Sequence, residues 1–139
     1  MIDKPLAEKA RSYESEKITI NLGPVDLGQI DLLVTEGFYA NRTDFIRTAI
    51  RNQLARHDEQ VRASVARREI ELGIRRYSRV DLERVVASGE VLAIEVLGLV
   101  VIENDVSPEL ALEAIATIQV LGALQASPAV KAALKPRTR

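Results

Sequence analysis

Between Lys17 and Leu22, three hydrogen-bonding side chains, Lys17, Thr19 and Asn21, alternate with Ile18, Ile20 and Leu22. An ammonium, a hydroxyl and a carboxamide at every second residue line one face with donors and acceptors, which is a chemistry of recognition and not of bond making. A second group follows at Asn41-Arg42-Thr43, with Arg47 and Arg51 beyond it. Backbone N–H groups at a helix start, together with guanidinium forks, suit an anion. Nothing in the chain adds reactive chemistry to these groups. There is no cysteine and His57 is the single histidine, so no thiolate or multi-histidine metal site can form within one chain. No nucleophile–base pair, phosphate-binding glycine loop or carboxylate cluster stands out. The reading is of a protein that is not an enzyme, with no catalytic residue, no cofactor and no metal.

The elements that must position these groups are legible in the same stretch. Period-two alternation in "KITINL" marks a strand with one apolar face. Gly23-Pro24 ends it, and the proline suits the first turn of a helix whose stripe is Leu27, Ile30, Leu33 and Val34. Gly37 is expected as the left-handed C-terminal cap. Asn41 reads as the N-cap of a second helix, with Asp44 three residues on in the manner of a capping box. Phe45, Ile46, Ala49, Ile50 and Leu54 are expected as its buried face, and Arg42, Arg47, Arg51 and Arg56 decorate the rest. The spacing continues through Val61 and Val65, so this helix is expected to run past residue 57. A lone strand leaves its backbone groups unpaired on both edges, and no adjacent strand offers a hairpin. The expected partner is the same strand of a second copy.

"KITINL", followed by a helix closed by "EGFYANRTDFIRTAI", resembles the ribbon-helix-helix DNA-binding proteins of the MetJ/Arc/CopG superfamily, over residues 14–58. The resemblance implies an intermolecular antiparallel two-stranded ribbon that enters the DNA major groove. It places base contacts on Lys17, Thr19 and Asn21. The chemistry agrees: Lys17 suits guanine acceptors or phosphate, Asn21 a bidentate pair with adenine, and Thr19 a hydrogen bond or a thymine methyl. Asn41, Arg42, Thr43 and Arg47 are the expected phosphate contacts. Ile18, Ile20, Leu22, Ile30, Leu33, Ile46 and Ile50 are expected to form the homodimer core. A nickel-type sensor of this superfamily needs histidines and a cysteine that the chain lacks.

Composition places these features in an aliphatic, globular setting, with five Phe or Tyr residues and no Trp in 139. Charge is divided along the chain. Residues 41–79 hold ten arginines against five acids (10 − 5 = +5), and residues 80–139 hold five bases against eight acids (5 − 8 = −3). A basic half suited to a polyanion thus precedes an acidic half of another role. The acidic half repeats itself: "IEVLGLV" at 94–100 returns as "IQVLGAL" at 118–124, and "SPEL" at 107–110 returns as "SPAV" at 127–130. Ser78 and Asp81 look like a capping box opening a first helix. The spacing predicts helix, strand, helix, strand, helix, with short parallel strands buried on both faces under helices. Two repeats fall short of what such a coil needs, so Val96, Leu97, Val120 and Leu121 are expected to self-associate with another copy. No family is recognised in this half.

The expected organisation is α+β: a flexible arm at 1–15 carrying Lys9 and Arg11, a ribbon-helix-helix domain at 16–57, a helical connector at 58–77, and an α/β repeat domain at 78–139 for oligomerisation. The expected function is a sequence-specific transcriptional regulator, a repressor, bound to double-stranded DNA as a homodimer and assembled further into tetramers or larger. The alternatives are an antitoxin whose C-terminal segment wraps a toxin protein, or a DNA-tethered scaffolding protein. The longest apolar run, "VLAIEVLGLVVI", contains a glutamate and is too short to span a membrane. With no secretory signal at residues 1–15, the expected location is the cytoplasm, with no membrane partner.

Overall fold

A computed structural model of the chain describes residues 15–139. The expected arm therefore lies outside the described residues except for Ser15. Two compact units are present: residues 17–67, and residues 68–139 together with residues 15–16.

The first unit begins without regular structure over residues 17–23. The strand expected at 17–22 is not formed in the single chain, because a strand exists through its ladder and no described strand of this unit lies beside it. Pro24 then opens helix α1 (Pro24–Thr35) at its first position. Ile30 is buried, while Leu27, Leu33 and Val34 are half-buried. Gly37 takes φ +84° and closes α1 as expected. Its N–H donates to Val34 O (3.1 Å), and that of Phe38 donates to Leu33 O (3.0 Å), the paired bonds of a Schellman ending. Helix α2 (Arg42–Arg56) starts at Asn41, whose Oδ1 accepts from the Asp44 N–H at 2.8 Å. The Asp44 carboxylate reaches back to the Ala40 N–H (2.9 Å), one residue earlier than a capping box requires. The second helix does not run on unbroken. His57 turns its N–H back to Leu54 O, and a new helix, α3 (Asp58–Arg68), begins with Asp58 and Glu59, which favour a positive helix start.

The second unit is built from β1 (Glu71–Tyr77), α4 (Arg79–Ala87), β2 (Leu92–Ile102), α5 (Pro108–Ala114), β3 (Ile115–Gln125), α6 (Pro128–Leu134) and a 3₁₀ turn at Lys135–Arg137. The three strands form one parallel sheet in the order β1-β2-β3. The expected α+β class and short parallel strands are present, but the repeat is threefold. Residues 71–77, expected as the end of a helical connector, form the first strand and pair with β2. Gly73, Gly98 and Gly122 stand side by side in register, all at positive φ. A Cβ built on Gly98 would lie 2.1 Å from Gly73 O, and one on Gly122 would lie 2.1 Å from Gly98 O, so only glycine fits the second and third places. The helix starts are as the sequence implies. Ser78 and Asp81 form a reciprocal capping box, while Ser107 and Ser127 cap α5 and α6 ahead of Pro108 and Pro128.

Among the described residues, helices pack against one face of the sheet, while β2 also buries Leu99 and Val101 on the other. Ile94, Val96, Val100 and Ile102 of β2 and Ile118 of β3 pack with Leu82 of α4, Ala111 and Ala114 of α5, and Val130 and Leu134 of α6. One expectation is corrected here: Val96, at 1% exposure, belongs to the chain's own core, with Val120 packed against it. Neither valine is free to meet another copy. Leu97 and Leu121, one residue on, alternate to the other face, where Leu97 is half-buried and Leu121 exposed. On that face Arg68 donates to both Glu95 (3.0 Å) and Gln119 (2.8 Å), residues paired across β2 and β3.

Candidate nucleic-acid interface

The residues expected to recognise DNA lie in the first unit. Lys17, Thr19 and Asn21 are all exposed, and so are the residues between them, with Ile18 at 73% and Ile20 at 59%. Leaving such side chains in water forgoes about 1.5–3 kcal/mol each relative to full burial. Within residues 17–67, Ile30 is the single buried hydrophobic residue. The apolar face of α2 is likewise incomplete: Phe45 and Ile46 are half-buried, while Ala49, Ile50 and Leu54 remain exposed. These groups converge on an open hollow of about 430 Å³ whose lining includes Ile20, Leu22, Ile30, Leu33, Ile46 and Ile50. Six of the seven residues expected as dimer core thus surround one cavity; Ile18 alone is not among its lining. Tyr39 and Phe45 meet edge to face nearby, with centroids 5.0 Å apart.

The helix start is electrostatically mixed. The Asp44 N–H is capped, and the N–H groups of Arg42 and Thr43 have no intrahelical acceptor in this first turn. The Arg42 guanidinium is directed elsewhere: Nε donates to Asp31 Oδ1 at 2.7 Å and Nη2 to Asp31 Oδ2 at 2.8 Å, a bidentate fork that ties α2 to α1. That hydrogen bonding holds the Asp31 carboxyl below its ordinary pKa and raises that of Arg42. The carboxylates of Asp31 and Asp44 therefore sit beside the candidate anion site. Arg47 and Arg51 are exposed and form no ion pair among the described residues. They are the unneutralised cations of α2 near its start. The Asp31–Arg42 pair has no signature in the sequence, since its partners come from two helices joined by a turn. No group of metal-binding side chains is present among the described residues.

A family model described as the Ribbon-Helix-Helix transcriptional regulator family matches residues 13–131. The chain belongs to that family. The match covers the first unit and continues through the three repeats to the middle of α6, so the C-terminal unit is included in the family's pattern. No curated protein and no solved structure matches. Regulators of the Ribbon-Helix-Helix family bind DNA, usually dimerise and are typically not enzymes. Membership identifies the chain as a DNA-binding transcriptional regulator. Among its described residues, no helix is long and apolar enough to cross a membrane.

Proposed function

We propose that the protein is a sequence-specific repressor that reads the major groove through a β-ribbon made of residues 17–22 from two chains. The observation that carries this reading is the open hollow of the first unit. Ile20, Leu22, Ile30, Leu33, Ile46 and Ile50 line a cavity that their own chain does not fill. A second copy laying its strand and α2 against the first would cover these groups and supply the missing ladder. With Ile18, Ile20 and Leu22 turned inward, the alternation turns Lys17, Thr19 and Asn21 outward as one row per chain. Two such rows fit the groove, whose base edges carry the donor and acceptor code. The N–H groups at Asn41, Arg42 and Thr43 and the free guanidinium of Arg47 fix the ribbon on the phosphates, while the Arg42 side chain braces the two helices. Residues 68–139 have a core of their own. This favours a folded module that joins ribbon dimers into tetramers or arrays over a segment that wraps a toxin.

Selection of duplexes from a random pool, followed by titration of the preferred one, tests the reading. An enriched sequence bound by two chains per site is expected, and Ile20→Asp abolishes the binding. Uniform recovery of all sequences, or one chain per site, contradicts it.

A further inference from the structure

The three-stranded sheet has two edges, and they differ. At β3 the C-terminal residues bridge the start of the outer side, at Ile118. The Arg139 N–H donates to Ile118 O at 3.1 Å, Thr138 bridges Ile118, and the Arg137 guanidinium binds the carbonyls of Leu112 and Ile115. No comparable cover lies along β1 among the described residues. From Glu71 to Arg76 every residue is exposed, Leu72 at 68% and Ile74 at 48%. The Gly73 carbonyl points inward to Gly98, while the space beside Gly73 itself is empty. This edge carries two large apolar side chains among three charged ones, Glu71, Arg75 and Arg76, so a strand added there must match those charges.

We propose that β1 pairs antiparallel, about a two-fold axis, with β1 of a second copy, fusing two three-stranded sheets into one of six. The inference rests on the C-terminal self-association proposed above and gives it a surface and a symmetry. The sequence of the edge selects its own register. Opposed residues in an antiparallel pair are either both hydrogen-bonded or both not, so a symmetric pair must be centred on a residue. Centred on Gly73, Glu71 meets Arg75 and Leu72 meets Ile74, so opposite charges and large apolar groups face each other. Centred on Leu72, two leucines meet but Glu71 faces Gly73 and has no opposed cation; centred on Ile74, Leu72 meets Arg76 and Glu71 meets Tyr77; centred on Arg75, two guanidinium groups collide. Cross-strand pairing energetics favour the first. Glu71 and Arg75 already lie 3.3 Å apart within one chain, both half-exposed, so exchanging that contact for its symmetric equivalent costs little. Head-to-tail stacking of β3 on β1 would instead give an open array. It would have to use an edge whose start the C-terminal residues bridge.

The test uses the full chain carrying Ile20→Asp, which removes the ribbon contact, in sedimentation. A dimer is expected; adding Glu71→Arg yields a monomer, and adding Arg75→Glu to that chain restores the dimer. Because the chain has no cysteine, introduced thiols report single contacts. Co-expressed full chains carrying Leu72→Cys and Ile74→Cys, with Ile20 intact, are expected to form a mixed disulfide, whereas Ile74→Cys with Ala123→Cys is not. This second arm decides the matter if Ile20→Asp fails to fold. A monomeric Ile20→Asp chain without the mixed disulfide overturns both this pairing and the self-association beneath it. Cross-linking between positions 74 and 123 overturns the two-fold pairing alone and leaves self-association standing.

Discussion

Arg42 and Arg47 lie five residues apart on α2, and the structure gives them different work. Arg42 is held by Asp31, whereas Arg47 is exposed and unpaired among the described residues. Arg47→Ala is therefore expected to weaken every duplex alike and to reduce the slope of log affinity against log salt by about 0.9, the loss of one phosphate contact. Binding measured at several salt concentrations checks this; an unchanged slope contradicts it. Asp31 makes a separate prediction about acid. Its carboxyl titrates below the ordinary value of 3.8 in the folded chain, chiefly through the Arg42 hydrogen bonds. A depressed folded-state pKa contributes stability above the unfolded value and loses it as pH falls through the folded one. Asp31→Asn should thus lower stability at neutral pH, and its denaturation midpoint should converge with the parent's under acid below pH 3.8. Curves that stay equally separated at all pH values would show that the pair's ionisation is irrelevant.

Elements carry the next pair of predictions. Ser78 and Asp81 satisfy each other's backbone N–H groups at the start of α4, and the Ser78 bonds hold the Asp81 carboxyl below its ordinary range. Ser78→Ala should cost about 0.5–2 kcal/mol of the C-terminal unit's stability by chemical denaturation. Gly98→Ala should be far more damaging, since the new methyl meets Gly73 O at 2.1 Å on backbone at φ +140°. If Gly98→Ala folded with unchanged stability, the glycine column would be misplaced. Caps of this kind were readable from the chain because their chemistry is local: Pro24, Gly37, Asn41, Ser78, Ser107 and Ser127 each act within a few residues. The first strand of the repeat was not. Leu72-Gly73 lies 25 residues before Leu97-Gly98, near the spacing of 24 to Leu121-Gly122, and that dipeptide is the signal. It was hidden because Glu71, Arg75 and Arg76 replace the valines and leucines of the inner strands, as suits the outermost strand of the chain's own sheet. The break at His57 was hidden for a different reason. Apolar spacing continues through Val61 and Val65, and periodicity does not register a single residue leaving helical geometry.

At the scale of the whole molecule, the two units differ in how much of their core one chain supplies. Residues 68–139 bury their own, including Leu82, Ile102, Ile115, Ile118 and Leu134. Residues 17–67 bury Ile30 alone and leave a hollow that the candidate site borders. That is why the candidate site was legible in residue types while its geometry was not: the strand bearing Lys17, Thr19 and Asn21 takes its form from a chain outside the molecule. Melting of the first unit should accordingly depend on protein concentration, rising over a hundredfold range, because folding and association are one equilibrium. A midpoint independent of concentration would place the whole core within one chain. The central claim is that the outward row on this strand reads bases. It is tested most directly by measuring the affinity of Asn21→Ala for the preferred duplex and for a scrambled one beside the parent protein. The expected result is a discrimination ratio reduced by about 1–3 kcal/mol per lost bidentate pair, with scrambled-sequence affinity nearly unchanged. A ratio equal to the parent's would contradict the account.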